Sequence, residues 1–345
     1  MISFETAASL PSGIKNMVIL ISFLVFFTLL CIGGMLIINN SVGKSGKQLF
    51  RMNTAKKIEP FAFLMPTVIL LLIMFGFPLI RTLIMAFQNY KLTQPNKIYF
   101  NSFANFKNLF SDSDIGLIIR NSFIYVICSV IGQFLLGMGL AFALKKPFRG
   151  RGLYQSIVFL PWAFSAFVIG LMYRWSFNGE YGVINDLLIR LGAISEKTAW
   201  LGTPGLSLIV VMLAMIWMGV PFFAIMILAA LQSIPHDIYE ASYLDGCSPA
   251  RRFFQIILPY IKPTIIVTLL LRTIWIFNSF DMIVIITNGG PANYSQTLPS
   301  YMYTKAFAAY DFGLASALGV ILMGILAVYV AVFLTATKYN SAGDF

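Results

Sequence analysis

Polar residues are scarce in the long apolar stretches of this 345-residue chain, so those that occur there pose the first chemical question. The densest row is Arg272, Trp275, Phe277, Asn278, Ser279, Phe280 and Asp281. A charge in hydrocarbon is costly unless it faces a cavity or a partner, so Arg272 reads either as a pathway residue or as a structural pairing residue. Asp281 is the carboxylate that a proton- or cation-coupled mechanism would require. Rings beside an amide, as at Phe277, Asn278 and Phe280, suit sugars, whose apolar faces stack on rings while their hydroxyls meet amides. A single ring of this kind is more often plain packing.

A second polar set fills residues 235–259. Pro235 suits a first helical turn, where its missing N–H costs nothing. Gly246 suits the position just past a helix end, and Ser248-Pro249 reads as an N-cap followed by a first-turn proline. The pattern predicts two short helices joined at a glycine, a shape suited to docking. Enzymatic chemistry finds no footing. The single histidine, His236, has no acid–base partner at motif spacing, and no zinc-protease, nucleophile-elbow or phosphate-loop signature occurs. Cys31, Cys128 and Cys247 show no metal-ligand spacing. Energy for any pumping must therefore come from another subunit or from an ion gradient.

The elements that position these residues follow from composition. The chain is 59% hydrophobic and 11% charged, with mean hydropathy +0.83, more apolar surface than a soluble domain can hide. Its apolar runs are continuous over about 20 residues, the signature of membrane helices and not of barrel strands. Spans are predicted at 14–38, 60–86, 119–144, 153–177, 205–231, 263–287 and 312–336. The first is too long for a signal-peptide core and has no evident cleavage site. The net charge of +11 resides in short loops flanking the spans, so it sets topology and does not imply nucleic acid. Lys44, Lys47, Arg51, Lys56, Lys57, Lys145, Lys146, Arg149, Arg151, Arg251, Arg252, Lys262 and Lys338 collect on one side, which the positive-inside rule makes cytoplasmic. The docking loop then faces the cytoplasm, the C-terminus is inside and the N-terminus outside.

Glu240-Ala241-Ser242, Gly246, Ile256, Leu258 and Pro259 resemble the EAA motif of permease subunits of ABC importers, with Ser242 where that family usually has alanine. The resemblance implies that the loop seats in a groove of a cytoplasmic ATPase, with Glu240, Ala241, Ser242, Asp245 and Gly246 at the contact. Over residues 60–340 the chain is similar to maltose-type carbohydrate-uptake permeases. The matching stretches are Asn105-Phe106-Lys107-Asn108-Leu109-Phe110, Tyr181-Gly182-Val183-Ile184-Asn185, Trp200-Leu201-Gly202, 228–235, 273–281 and Thr287-Asn288-Gly289-Gly290-Pro291.

That likeness implies an all-α membrane protein of seven transmembrane helices, one extra N-terminal helix (residues 1–58 with its basic loop) on a six-helix importer core at 59–340, with the coupling loop at 232–262. It implies a bacterial inner-membrane location and substrate contacts on the fifth and sixth spans. Gly219 matches the maltose-type pattern outright, Phe222 replaces a tyrosine, Trp217 and Met218 flank them, and Met215 stands where an asparagine is usual. On the sixth span Phe277, Asn278 and Phe280 match an aromatic–asparagine pattern, beside Arg272, Trp275 and Asp281. Implied partners are a second homologous permease, a pair of ATP-binding subunits that carry ATP and magnesium, and an extracytoplasmic solute-binding protein; the chain itself holds no cofactor. The expected cargo is a sugar or oligosaccharide. The alternatives are an anionic solute such as glycerol phosphate or an acidic oligosaccharide, and an ion-coupled carrier dependent on Asp281.

Overall fold

The computed structural model describes residues 64–337; the predicted first span at 14–38 and its basic loop lie outside them. The chain divides at Thr82/Leu83 into two units. Helix α1 (Leu64–Ala86) is long and apolar enough to cross a membrane, with Arg81 as its one charged residue. Within the first unit it widens into a π-helical turn at Leu72–Gly76, two residues ahead of Pro78. A proline ring crowds the carbonyl four residues earlier and offers it no N–H, so the turn before it relaxes.

The second unit is built on helices α2 (Ile115–Lys145), α3 (Arg151–Ala163), α4 (Ala166–Ser176), α5 (Leu206–Gln232), α6 (His236–Leu244), α7 (Pro249–Asn278), α8 (Asp281–Ile286) and α9 (Phe312–Thr337). Among the described residues, five helices are long and apolar enough to cross a membrane, and a sixth crossing exists if α3 and α4 form one broken span. The seven-span expectation therefore extends beyond the described residues. Helix α5 is central, with 67% of its most apolar window buried, and it packs chiefly along α2. Gly137 makes that approach close: a Cβ there would lie 2.5 Å from the Cβ of Phe223 and 3.0 Å from the backbone nitrogen of Ala224. Small residues at such crossings are how membrane helices gain contact where lipid offers no hydrophobic driving force.

Two predicted spans need correction. The stretch expected as one helix at 153–177 is α3 and α4, bent by 93°. Pro161 weakens the end of α3, Phe164 and Ser165 take extended backbone, and the Ser165 hydroxyl accepts from the Val168 N–H at 3.3 Å to start α4. The sixth span, expected at 263–287, instead runs from Pro249 to Asn278. Arg251 and Arg252 do not interrupt it, because a charged pair at a helix end is helix-compatible. A second π-turn, Phe253–Ile257, again stands two residues before a proline, Pro259. The helix stops where Ser279 becomes extended, so Asp281 opens the separate helix α8.

Buried asparagines fasten the loops outside the spans. Asn105 Nδ2 donates to the carbonyls of Ala86 and Gln88, both at 2.9 Å. Asn185 joins two of the family-like stretches: its Nδ2 donates to Gly179 and Thr198 carbonyls, and its Oδ1 accepts from Trp200 Nε1 at 2.7 Å. Asn121, on α2, donates to the carbonyls of Asn293, Tyr294 and Gln296 at 3.3, 3.0 and 3.3 Å. Beside it, the Tyr301 hydroxyl donates to Asp112, and Lys305 Nζ lies 4.0 Å from the same carboxylate. Burial alone would raise the Asp112 carboxyl, but Tyr301, the Asp114 N–H and Lys305 together hold it below its ordinary value.

A folded-state pKa below the unfolded one stabilises the fold above the unfolded value, and that contribution is lost as pH falls through the folded value. Melting temperature in nanodiscs is thus expected to fall on acidification through the carboxylate range in wild type and less steeply in Asp112→Asn. Asn121→Ala orphans loop carbonyls and is expected to cost about 1–3 kcal/mol, with faster limited proteolysis within residues 288–296. Unchanged cleavage there would show that the loop is held by something else.

Candidate functional site

The docking element forms as its turn chemistry dictates. Helix α6 ends in a two-bond closure, with Gly246 N–H donating to the Tyr243 carbonyl at 3.1 Å and Cys247 N–H to that of Ser242 at 3.0 Å. Gly246 has φ +65°, the left-handed region this closure requires, and no atom lies within 4 Å of where its Cβ would be. The glycine is needed for its backbone conformation, and not because neighbours within the chain crowd it. Ser248 Oγ then caps α7 by accepting from Arg251 N–H at 3.3 Å.

The five predicted contact residues separate by orientation. Glu240, Ala241, Asp245 and Gly246 are exposed, whereas Ser242 is buried and its hydroxyl donates to the Tyr239 carbonyl at 2.7 Å. Glu240 pairs with His236 Nδ1 at 3.0 Å, one helical turn away. Leu244, 89% exposed, presents an apolar side chain on the last turn, next to an exposed Tyr243. Cations anchor the element from the inside: Lys145 Nζ sits 3.7 Å above the Tyr239 ring, and the Arg252 guanidinium 3.6 Å above that of Tyr243. These two basic residues, read from sequence as topology markers, also hold the loop in place.

Within the spans, the residues that converge are Gly219, Phe222, Arg272 and Trp275, together with Gln133, which sequence reading passed over. Arg272 is 5% exposed, and its Nε donates to Gln133 Oε1 at 2.6 Å. Gln133 Nε2 donates in turn to the Met215 carbonyl at 2.8 Å. One amide thereby ties α2, α5 and α7. Gly219 leaves the space for it: a Cβ there would lie 2.2 Å from Gln133 and 2.3 Å from Arg272 Nη2. No carboxylate pairs with Arg272 among the described residues, and its Nη2 has no hydrogen-bond partner there. The guanidinium carbon lies 5.6 Å from the Phe222 ring, and that ring lies 5.3 Å from Trp275.

The remaining predicted residues point elsewhere. Trp217 lies 6.2 Å from the Tyr173 ring and lines an apolar groove of about 910 Å³ between α2, α3, α4 and α5. Met218 is half-buried beside the core. Phe277 packs its edge on Phe123, and Phe280 stacks on Tyr303 at 4.9 Å. Asn278 Nδ2 turns back to the Ile274 carbonyl of its own helix at 2.8 Å. Asp281 is exposed and lies outside the span in which it was expected.

Comparison with known proteins decides the family. Residues 133–338 match the family model described as binding-protein-dependent transport system inner membrane component. The chain belongs to that family. It is an inner-membrane permease component of the ABC transporter type. It is 35% identical over 271 residues to the sulfoquinovosyl glycerol transport system permease protein SmoG of Agrobacterium fabrum, covering 79% of this chain and 87% of SmoG. It is 29% identical over 300 residues to the diacetylchitobiose uptake system permease protein DasB of Streptomyces coelicolor, covering 85% and 92%. Its fold resembles a chain of a bacterial ABC transporter involved in import of the acidic polysaccharide alginate, with TM-score 0.72, 25% identity, and coverage of 83% and 98%.

Replacing Gln133 with leucine would strand the Arg272 guanidinium in a low-dielectric interior. The expected cost is about 3 kcal/mol, read as earlier unfolding of the permease in nanodiscs. Gln133→Glu, which keeps an acceptor for Nε, is expected to retain more stability than Gln133→Leu. Equal stability of the two variants would mean that the bridge carries no energy.

Proposed function

We propose that this chain is one of two permease subunits of an ATP-driven importer that moves a saccharide into the cytoplasm. The observation that carries the reading is the docking element: an exposed helix closed at Gly246, whose continuation α7 is the same helix that holds Arg272. A pair of ATP-binding subunits, supplying ATP and magnesium, would grip Glu240, Ala241, Asp245, Gly246 and the exposed Leu244. A solute-binding protein would deliver cargo at the opposite face. Rocking of the two permeases then exposes the pathway to each side in turn. The named cargo of SmoG and DasB, and of the alginate importer, supports a saccharide.

An acidic saccharide is the second reading, favoured by the unbalanced charge of Arg272 and its unpartnered Nη2. ATP hydrolysis by the assembled complex in nanodiscs separates the two. A panel of maltose, diacetylchitobiose, sulfoquinovosyl glycerol and an alginate oligosaccharide, each with binding protein, is expected to give stimulation by one member. Hydrolysis indifferent to every saccharide would sink the cargo assignment.

In the same assay Gly246→Asp is expected to leave the complex assembled, since a left-handed non-glycine residue costs only about 1–2 kcal/mol. It should nevertheless abolish stimulation. Normal stimulation in that variant would remove α6 and Gly246 from the coupling mechanism.

A further inference from the structure

The docking helix α6 is held by two cations whose charge the described residues leave uncompensated. Phe142 on α2 meets Phe253 on α7 edge to face, with ring centroids 5.4 Å apart. That contact brings Lys145, one turn on from Phe142, beside Arg252, close enough for each charge to act on the other. Lys145 covers the Tyr239 ring and Arg252 covers that of Tyr243, one turn apart on α6. An aromatic face attracts a cation through its quadrupole but carries no net charge, so both positive charges remain.

The other partners do not balance them. Arg252 Nη2 donates to a neutral acceptor, the Cys247 carbonyl, at 3.1 Å. No carboxylate pairs with Lys145 or Arg252 among the described residues: Glu240 of α6 is engaged by His236, and the remaining ion pairs lie elsewhere. The buried Arg252 Nε and the buried Tyr239 hydroxyl have no hydrogen-bond partner there either. Arg251 and Arg252 also stand in the first turn of α7, where the helix dipole is itself positive. Like charges held side by side repel, and a shared anion turns that repulsion into attraction.

The surroundings indicate which anion. Lys145 ends α2 and Arg252 lies near the start of α7, so both stand at the margin of apolar spans. Close to them in sequence, Phe148, Tyr154 and Phe254 are exposed, and the first two rings lie 6.1 Å apart. Exposed rings at the ends of spans sit at headgroup level, and lysines and arginines clustered there attract anionic lipid. A soluble phosphate would satisfy the cations but leave these rings without a partner.

We propose that Lys145 and Arg252 form a headgroup site behind the docking helix, taking the phosphate of an anionic phospholipid of the cytoplasmic leaflet. The inference concerns lipid and is independent of which cargo the transporter carries.

The test is native mass spectrometry of the assembled complex, titrated in detergent with dioleoyl phosphatidylglycerol or dioleoyl phosphatidylcholine. Wild type is expected to retain phosphatidylglycerol at least about tenfold more tightly than the net-neutral lipid. Lys145→Gln and Arg252→Gln should each lose about fivefold of that retention, and the double variant about thirtyfold. Lys145→Arg, which keeps the charge, should retain it. Lys146→Gln removes an equal charge from the exposed neighbour and is expected to change retention less than about twofold. If the double variant fails to assemble, the single Lys145→Gln carries the comparison.

Equal retention of the two lipids by wild type would overturn the proposal. So would an equal loss in Lys146→Gln and Lys145→Gln, which would mean diffuse surface charge in place of a site. Displacement of phosphatidylglycerol by a large excess of inorganic phosphate would assign the cations to a soluble anion and overturn the lipid reading. A preference for phosphatidylglycerol that emerges only once the ATP-binding subunits are stripped away would give the cations to an acidic face of that partner, and would overturn it too.

Discussion

A guanidinium inside a bilayer must find its hydrogen-bond acceptors within the protein, and much of the interior of this permease follows from that requirement. Arg272 meets it in part through a single glutamine amide, whose oxygen takes the Arg272 Nε–H and whose nitrogen is spent on the Met215 carbonyl, while its Nη2 has no partner among the described residues. Position 219 can then carry no side chain, because Gln133 and Arg272 occupy the space where one would stand. Three helices distant in sequence are fixed in register at one depth, and Phe222 and Trp275 inherit their positions from that register. Polar contacts between membrane helices are modest in energy, but they specify alignment in a way that uniform apolar packing cannot.

The same economy governs the loops. Asn105, Asn121 and Asn185 are buried, and each serves several backbone groups at once. A planar amide with two donors and an acceptor can replace a turn of secondary structure where the chain must run irregularly. On the docking side the holding groups are cations over rings, Lys145 on Tyr239 and Arg252 on Tyr243. Arg252 adds a directed hydrogen bond, its Nη2 donating to the Cys247 carbonyl at 3.1 Å.

The helix–glycine–helix loop was legible in the sequence because its signals are local: Gly246 and Ser248-Pro249 each specify the backbone within one turn, while Pro235, expected in the first turn, instead precedes α6 as its N-cap. The spans were legible from hydropathy, which reports length and little else. Hydropathy saw neither the 93° bend, since Trp162, Ala163 and Phe164 are as apolar as the helices around them, nor the start of α7 at Pro249, since arginines count against a span without interrupting a helix. The signal for the bend was present in Pro161 followed by a capping serine four residues later. Gln133 was missed because its role resides in partners 82 and 139 residues away. A lone glutamine in an apolar run was the only trace, and it has meaning only once its neighbours are known. The row at 272–281 is linear in sequence only: helix geometry and the stop at Asn278 send Phe277, Asn278, Phe280 and Asp281 in separate directions.

The continuity of α7 gives the molecule a mechanical property. Its 30 residues, Pro249 to Asn278, form a helix of about 45 Å that begins three residues after Gly246 and carries the buried guanidinium about four fifths of the way along. With no loop between Pro249 and Arg272, a tilt imposed at the foot of the helix would be conveyed to Arg272 as rotation, softened by the π-turn at Phe253–Ile257 and by Pro263. The glutamine bridge would be the fulcrum of such a tilt. The loop at Gly246 and the packing around Arg272 are thus joined by one helix.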